Sequence, residues 1–410
     1  MVIKHQELFF EDVNDDFGYG NEAIIAVTTS YSDEGQNIMM SYSIDGGYNF
    51  LPVKEEPILW NPHKETNENF RDPYFFKKDN KFIMYIAEEN EFGVYVSNNP
   101  ISGYEKTGSF KAQHPMLECP NIFQMNVEYE EKVEKKWVAL YGGNGGWGEN
   151  KDDLSSGTYY VVGDLDEKTY VFKPDSDKSY KRLDFGPDYY AAKFMTKSPY
   201  NTNIDSLITT GWVSNWSYNY SIPNDGRLGN MSLAREIKLT KETNSTGFEY
   251  IMKSDYIGFN NFKPESEGKY LSDSNLIKSN NLIGKYYKAD FSWNNIGNNE
   301  VNLIIGDNQY SIKVNLDYTN NKIKVKRDIK VDFNYGKEEF TKERIYNSNL
   351  KALKKSSNLE IYIDKTIVEF KFTDNSTFTM LKFVDSKSFE DIKLSTKASN
   401  LRYSYYQIKK

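Results

Sequence analysis

The chain has 410 residues, enough for two or three well-cored domains, with 38% hydrophobic and 27% charged residues, ordinary values for a folded soluble protein. Its net charge of -8 and pI near 5.3 offer a phosphate backbone no basic footprint, which excludes nucleic acid as a partner. A single cysteine excludes an intrachain disulfide scaffold, and no apolar run approaches the roughly 18 residues that a membrane span needs.

In chain order, the first residues, Met-Val-Ile-Lys-His-Gln-Glu, lack the apolar core of a signal peptide. Asn14-Asp15-Asp16-Phe17-Gly18 is an acidic turn without the regular ligand spacing of a calcium loop. Strands are expected at Glu22 to Thr29 and at Asn37 to Ser43, the latter ending at a hairpin turn, Asp45-Gly46-Gly47. Asn69-Phe70-Arg71-Asp72-Pro73 follows, its proline expected to stop the strand. After it come apolar runs at 74–76, 81–87 and 92–97. Leu117-Glu118-Cys119-Pro120 repeats the pattern of an acidic residue beside a proline, ahead of the short run Asn121-Ile122-Phe123. Further strands are expected at 137–142, 157–163, 206–212 and 236–239. Short strands separated by Gly, Asn and Asp argue for a sandwich, a barrel or a propeller. A four-stranded blade takes about 45 to 60 residues, so residues 1–240 accommodate about four blades.

Residues 241–280 are polar and read as a linker and connecting segment. Residues 281–410 carry eight or so candidate strands with half-buried alternation, the pattern of a β-sandwich that braces the first domain.

Two carboxylates facing one cavity from neighbouring strands form the minimal kit for glycoside hydrolysis, one protonating the leaving oxygen and one acting at the anomeric carbon. Glu118, beside apolar Cys119 and Pro120, suits the acid. Arg71 can hold Asp72 ionised or grip sugar hydroxyls. A turn-capping salt bridge is the structural alternative for Arg71-Asp72-Pro73. The glycine-rich stretch 142–148 lacks the lysine and helix of a phosphate cradle, and reads as a rim loop presenting Trp147. His5, His63 and His114 show no metal-ligand spacing, and no metal or other cofactor is expected. His114 is placed at the pocket edge or on the surface, and Cys119 reads as a wall residue rather than a nucleophile. Trp212 reads as core, while Trp216 stacks on a sugar or fills the core. Asn-X-Ser/Thr sites occur at Asn215, Asn219, Asn230, Asn244 and Asn375.

Phe70-Arg71-Asp72-Pro73, Glu118-Cys119-Pro120, Asp184-Phe185-Gly186-Pro187-Asp188-Tyr189-Tyr190-Ala191 and Gly211-Trp212-Val213-Ser214-Asn215-Trp216 together resemble the ordered motifs of glycoside hydrolase family 32, the invertases, inulinases and levanases. Gln36 through Ser43 to Asp45-Gly46-Gly47-Tyr48-Asn49-Phe50 resembles another of its segments. Leu359 to Asp364 with Val368-Glu369 resembles a strand pair of its sandwich domain. The resemblance spans nearly the whole chain and is nearest to yeast-type invertases.

The resemblance implies an all-β protein, a five-bladed β-propeller followed by a β-sandwich. It also implies retaining hydrolysis of β-fructofuranosides such as sucrose or fructans without a metal, and an extracellular setting. It gives Glu118 the general acid/base role and Asp72 that of transition-state stabiliser, with Arg71, Cys119, Gln36 and Trp216 around the substrate. The family's nucleophile is an aspartate in a Trp-Met-Asn-Asp-Pro-Asn-Gly motif on the first blade. This sequence has no such motif, and Asn14-Asp15-Asp16 reads as a decoy. The first blade is therefore expected to be missing and the chain to be inactive or weakly active, or else a non-catalytic fructoside-binding or decayed paralogue. An inverting pair made of Asp72 and Glu118 is a further alternative. At Pro223 to Asn230 the family's Trp-Arg-Gly is reduced to Gly226-Arg227.

Overall fold

A computed structural model describes residues 8–33, 35–129, 134–145, 156–176, 180–196, 204–221, 229–244, 247–259, 263–264, 266–270, 274–277, 286–294, 296–297, 299–330, 338–382, 392–396 and 399–408. His5, Trp147, Gly226 and Arg227 lie outside them. The chain divides into two compact units, one of residues 1–183, 191–210 and 234–255, the other of 184–190, 211–233 and 256–410.

The first unit is built from successive antiparallel sheets. Leu8–Glu11 (β1), Ile24–Ser32 (β2), Gly35–Ser43 (β3) and Leu51–Pro52 (β4) pair in order. Alternation puts Ile25 and Val27 of β2 and Ile38 and Met40 of β3 on one face. They share a core with Phe70, Phe75, Met84 and Ile86 of the next sheet. The predicted hairpin turn forms. Asp45 accepts the Ser43 hydroxyl and the N–H groups of Tyr48 and Asn49, while Gly46 and Gly47 take the positive φ angles, 77° and 88°, that the reversal requires.

The second sheet is Arg71–Lys78 (β5), Lys81–Ala87 (β6), Phe92–Ser97 (β7) and Glu105–Phe110 (β8). Met116–Glu128 (β9), Glu134–Asn144 (β10), Ser156–Leu165 (β11) and Phe172–Pro174 (β12) form the third, with Tyr180–Arg182 (β13) added to β11. Tyr190–Met195 (β14), Leu207–Val213 (β15), Asn230–Met231 (β16), Arg235–Asn244 (β17) and Gly247–Tyr256 (β18) extend that third sheet to ten strands through a parallel pairing of β17 with β9, forming its second antiparallel half. Four blades of the expected five are thus present among the described residues. Arg235–Asn244 and Gly247–Tyr256, partly assigned to a connecting segment from their polar sequence, pair as β17 and β18 instead. Their alternation was hidden by lysines and glutamates on the solvent face.

Pro73 and Pro120 do not stop strands as expected. Both lie inside β5 and β9, where the pairing register shifts, between Arg71 and Tyr74 in β5 and opposite Leu140 to Gly142 in β9. A bulge asks for no ladder donor, so proline fits it without loss. Asp72 (φ 55°), Cys119 (φ 54°) and, near the start of β14, Ala191 (φ 47°) take the left-handed conformation.

In the second unit two six-stranded sheets form a sandwich. One runs Ser266–Tyr270, Ser399–Ile408, Tyr286–Asn294, Ser356–Ile363, Ile367–Phe372, Thr377–Leu381. The other runs Ser274–Ile277, Ile392–Thr396, Glu300–Gly306, Tyr310–Asp317, Lys322–Ile329, Arg344–Asn347. Phe291, Trp293, Leu303, Val314, Ile361 and Phe370 fill its core, and the Trp293 indole N–H donates to the Tyr318 hydroxyl at 3.2 Å. The segment 184–190 is pinned within this unit. Asp184 accepts the Gly186 and Thr379 N–H groups, and Asp188 forms a buried ion pair with Arg327. Asn215 is fully buried and donates to the Pro187 carbonyl, and Asn219 is also buried, so neither sequon is presented to solvent. Among the described residues no helix is long and apolar enough to cross a membrane, and no group of three or more His, Cys, Asp or Glu is placed to hold a metal ion.

Candidate active site

Arg71 and Asp72 open β5, and Glu118 and Cys119 sit near the start of β9, so neighbouring sheets bring the two sequence-predicted pairs together. Because each bulge inserts an extra residue, consecutive side chains leave the strict alternation of a strand. Arg71 and its neighbour Asp72 are both buried, at 5% and 3% exposure.

The contacts cross between the sheets. Arg71 sends its guanidinium to Glu118, with Nε 3.3 Å and Nη2 3.0 Å from Oε1. Nη1 donates to Asn69 Oδ1, and Nη2 also touches the Met116 sulfur at 3.3 Å. Asp72 in turn accepts the Cys119 backbone N–H at 3.0 Å on Oδ2, with the Cys119 thiol 3.7 Å from the same oxygen. Each acidic residue is therefore held by the other's neighbour. The arginine is spent on Glu118 in this geometry, not on Asp72 alone.

Burial raises the Asp72 carboxyl to about 6, with Glu118 adding to the rise; Arg71 and the Cys119 N–H oppose it. Asp72 lies 3% exposed inside the β5 bulge, which is what puts its carboxyl out of reach of water. Burial, then the negative charges of Asp72 and Glu118, push the Cys119 thiol well above its usual range, with Lys193 opposing. That suits the wall role predicted for it, since a protonated thiol is a poor nucleophile.

Gln36 is buried, its Oε1 accepting the Phe70 N–H at 2.8 Å and its Nε2 donating to the Tyr31 hydroxyl at 3.0 Å. It thus braces the backbone just ahead of Arg71. His114 is buried rather than on the surface, its ring 4.1 Å from that of Tyr159 and Nδ1 3.5 Å from the Tyr141 hydroxyl. Trp216 belongs to the second unit, where it is 43% exposed with its ring 5.1 Å from Trp212. Trp212 is half-buried rather than core.

The acidic turn after β1 is occupied elsewhere. Asp12 accepts the N–H groups of Asp16 and Phe17, Asp15 accepts that of Gly20, and Asp16 pairs with Lys77. Lys77 lies five residues beyond Asp72 on β5, about 16 Å away at the usual rise of a strand. A cavity of about 470 Å³ follows the same strands at that far end, walled by Phe10, Asp16, Phe75, Lys77, Phe123 and Lys193. It is separate from the carboxylate pair.

Sequence reasoning missed Thr29, whose hydroxyl accepts the Asp72 N–H at 3.1 Å, as well as Asn69 and Met116 beside Arg71. A threonine within an apolar strand gives no signal of such a role.

The family description "Glycosyl hydrolases family 32 N-terminal domain" matches residues 13–248. A levanbiose-producing levanase of Geobacillus stearothermophilus is 30% identical over 303 residues, 71% of this chain and 72% of the relative. A levanbiose-producing levanase of Bacillus subtilis is 29% identical over 71% of this chain, and an extracellular exo-inulinase of Aspergillus niger 27% identical over 69%. The matches span 55% and 57% of these two longer relatives. In fold, the chain is similar to the crystal structure of exo-inulinase from Aspergillus awamori, with a TM-score of 0.80 at 22% identity over 98% of this chain and 84% of the other. It is similar also to β-fructofuranosidase from Schwanniomyces occidentalis, at 0.80 and 21% over 99% and 83%. With the propeller-plus-sandwich fold and a match across more than half its length, this chain belongs to glycoside hydrolase family 32.

Proposed function

We propose that the chain recognises the terminal fructosyl unit of sucrose or of a fructan, with Asp72 bonding to the sugar hydroxyls and Glu118 placed at the glycosidic oxygen. The crossed contacts, Arg71 to Glu118 and the Cys119 N–H to Asp72, are the observation that carries this reading. A single guanidinium fixes Glu118 while its backbone neighbour Asp72 is held by the Cys119 N–H, so one rigid unit presents both carboxyls. Gln36 braces this pair from behind through the Phe70 N–H. Levanases and exo-inulinases among the relatives favour fructans beside sucrose as the substrate.

In this reading hydrolysis is slow. Retention of configuration needs a second carboxyl to capture the sugar covalently, and the acidic residues after β1 are taken up by their own turn and by Lys77. A fructoside-binding role without turnover is thereby favoured over efficient hydrolysis.

Calorimetric titration of the chain with sucrose, levan and inulin tests recognition. Saturable heat is expected for at least one of them and is expected to vanish in Asp72→Ala. Absence of heat for all three, or equal heat in the variant, removes the reading.

A further inference from the structure

Asp72 holds a backbone conformation that residues other than glycine adopt rarely, φ 55°, inside a bulge where its N–H has left the ladder with β6. That buried N–H needs an acceptor. Thr29, 1% exposed in the middle of β2, provides one from the preceding sheet at 3.1 Å. On the other side of Arg71, the Phe70 N–H goes to Gln36 of the same sheet at 2.8 Å. The backbone flanking Arg71 is thus gripped twice from β2 and β3, while the Asp72 carboxyl reaches the opposite way to Cys119 on β9.

We propose that Thr29 is a positioning residue for Asp72, its hydroxyl oxygen stabilising the left-handed turn that aims the carboxyl at Cys119 and at the fructosyl site. The inference rests on the reading above for its ligand, but not for its geometry. Without the acceptor, the buried N–H is left unsatisfied, and the cheapest remedy is for the chain to rotate Asp72 out of the bulge. Rotation breaks the Cys119 N–H bond to Oδ2. The groups that act on the Asp72 carboxyl in place are Glu118, Arg71 and Cys119, and Lys193 acts on Cys119.

Thr29→Val keeps the shape of the side chain and removes the acceptor, and Thr29→Ser keeps the acceptor. Fructoside affinity is expected to fall about tenfold or more in Thr29→Val, the usual effect of one buried unsatisfied donor, and to return in Thr29→Ser. The titration of the Asp72 carboxyl, followed by carbon NMR, is expected to shift in Thr29→Val, since both its burial and the Cys119 N–H bond that favours the ionised form change with the rotation. A role confined to packing lowers the melting temperature of Thr29→Val but leaves both affinity and titration unchanged, and that result overturns the proposal. Should the unaltered chain bind none of the sugars, the fructoside reading fails. The Asp72 titration in Thr29→Val then decides the positioning role alone, a shifted midpoint upholding it and an unmoved midpoint ending it.

Discussion

Replacing Arg327 by methionine is expected to destabilise the second unit by about 3–5 kcal/mol, the usual cost of stranding one partner of a buried ion pair. Arg327 is 3% exposed and Asp188 fully buried. The guanidinium reaches Asp188 with Nη2, the Leu381 carbonyl with Nε at 2.7 Å and the Phe340 carbonyl with Nη1 at 2.6 Å. It lies 4.0 Å over the Phe340 ring. Asp188 also accepts the Tyr218 hydroxyl and the Leu381 N–H. Methionine fills the volume but leaves a carboxylate with two donors and no counter-charge, and two carbonyls without their donor. Denaturant melts of Arg327→Met, Asp188→Asn and the double variant separate the terms. The double variant should be more stable than Arg327→Met alone, because the stranded charge is gone. A loss below about 1 kcal/mol in Arg327→Met, within the range of an exposed pair, contradicts this.

Asp72→Asn is expected to make the protein more stable at pH 7.5 while weakening sugar binding. The Asp72 carboxyl is raised from 3.8 to about 6, so between those values the folded chain keeps a proton that the unfolded chain releases. Stability therefore falls as pH rises through about 4 to 6 and stays lower above, by up to about 3 kcal/mol at 1.36 kcal/mol per unit. Asparagine is neutral throughout, tolerates the left-handed conformation, and can still accept the Cys119 N–H through its side-chain carbonyl. Melts at pH 4 and pH 7.5 check this. The variant's advantage should be present at the higher pH and nearly absent at the lower. An advantage that does not change with pH refutes the burial of a costly charge at Asp72.

The sequence revealed strands wherever apolar residues alternate within a short run. The predicted bounds 81–87 and 92–97 coincide with β6 and β7. Short or polar strands were invisible, such as β1 with four residues and β8 with the sequence Glu-Lys-Thr-Gly-Ser-Phe. Their pairing is imposed by neighbouring sheets rather than by their own pattern. At the candidate site, residue types and order sufficed to single out Arg71, Asp72, Glu118 and Cys119. The crossing of their contacts was not legible, because it depends on two bulges whose prolines read as strand ends. Thr29 was beyond reach for the same reason. Its partner is a backbone N–H released by a bulge 43 residues away.

Fructose release from sucrose and levan by the purified chain is the most direct measurement of whether Asp72 and Glu118 work without a capturing carboxylate. Turnover several orders of magnitude below the common enzyme value of about 10 per second, alongside measurable sugar affinity, is the predicted outcome. Turnover near that value means that another acidic side chain completes the site, and contradicts the assignment of Asp12, Asp15 and Asp16 to their turn and to Lys77.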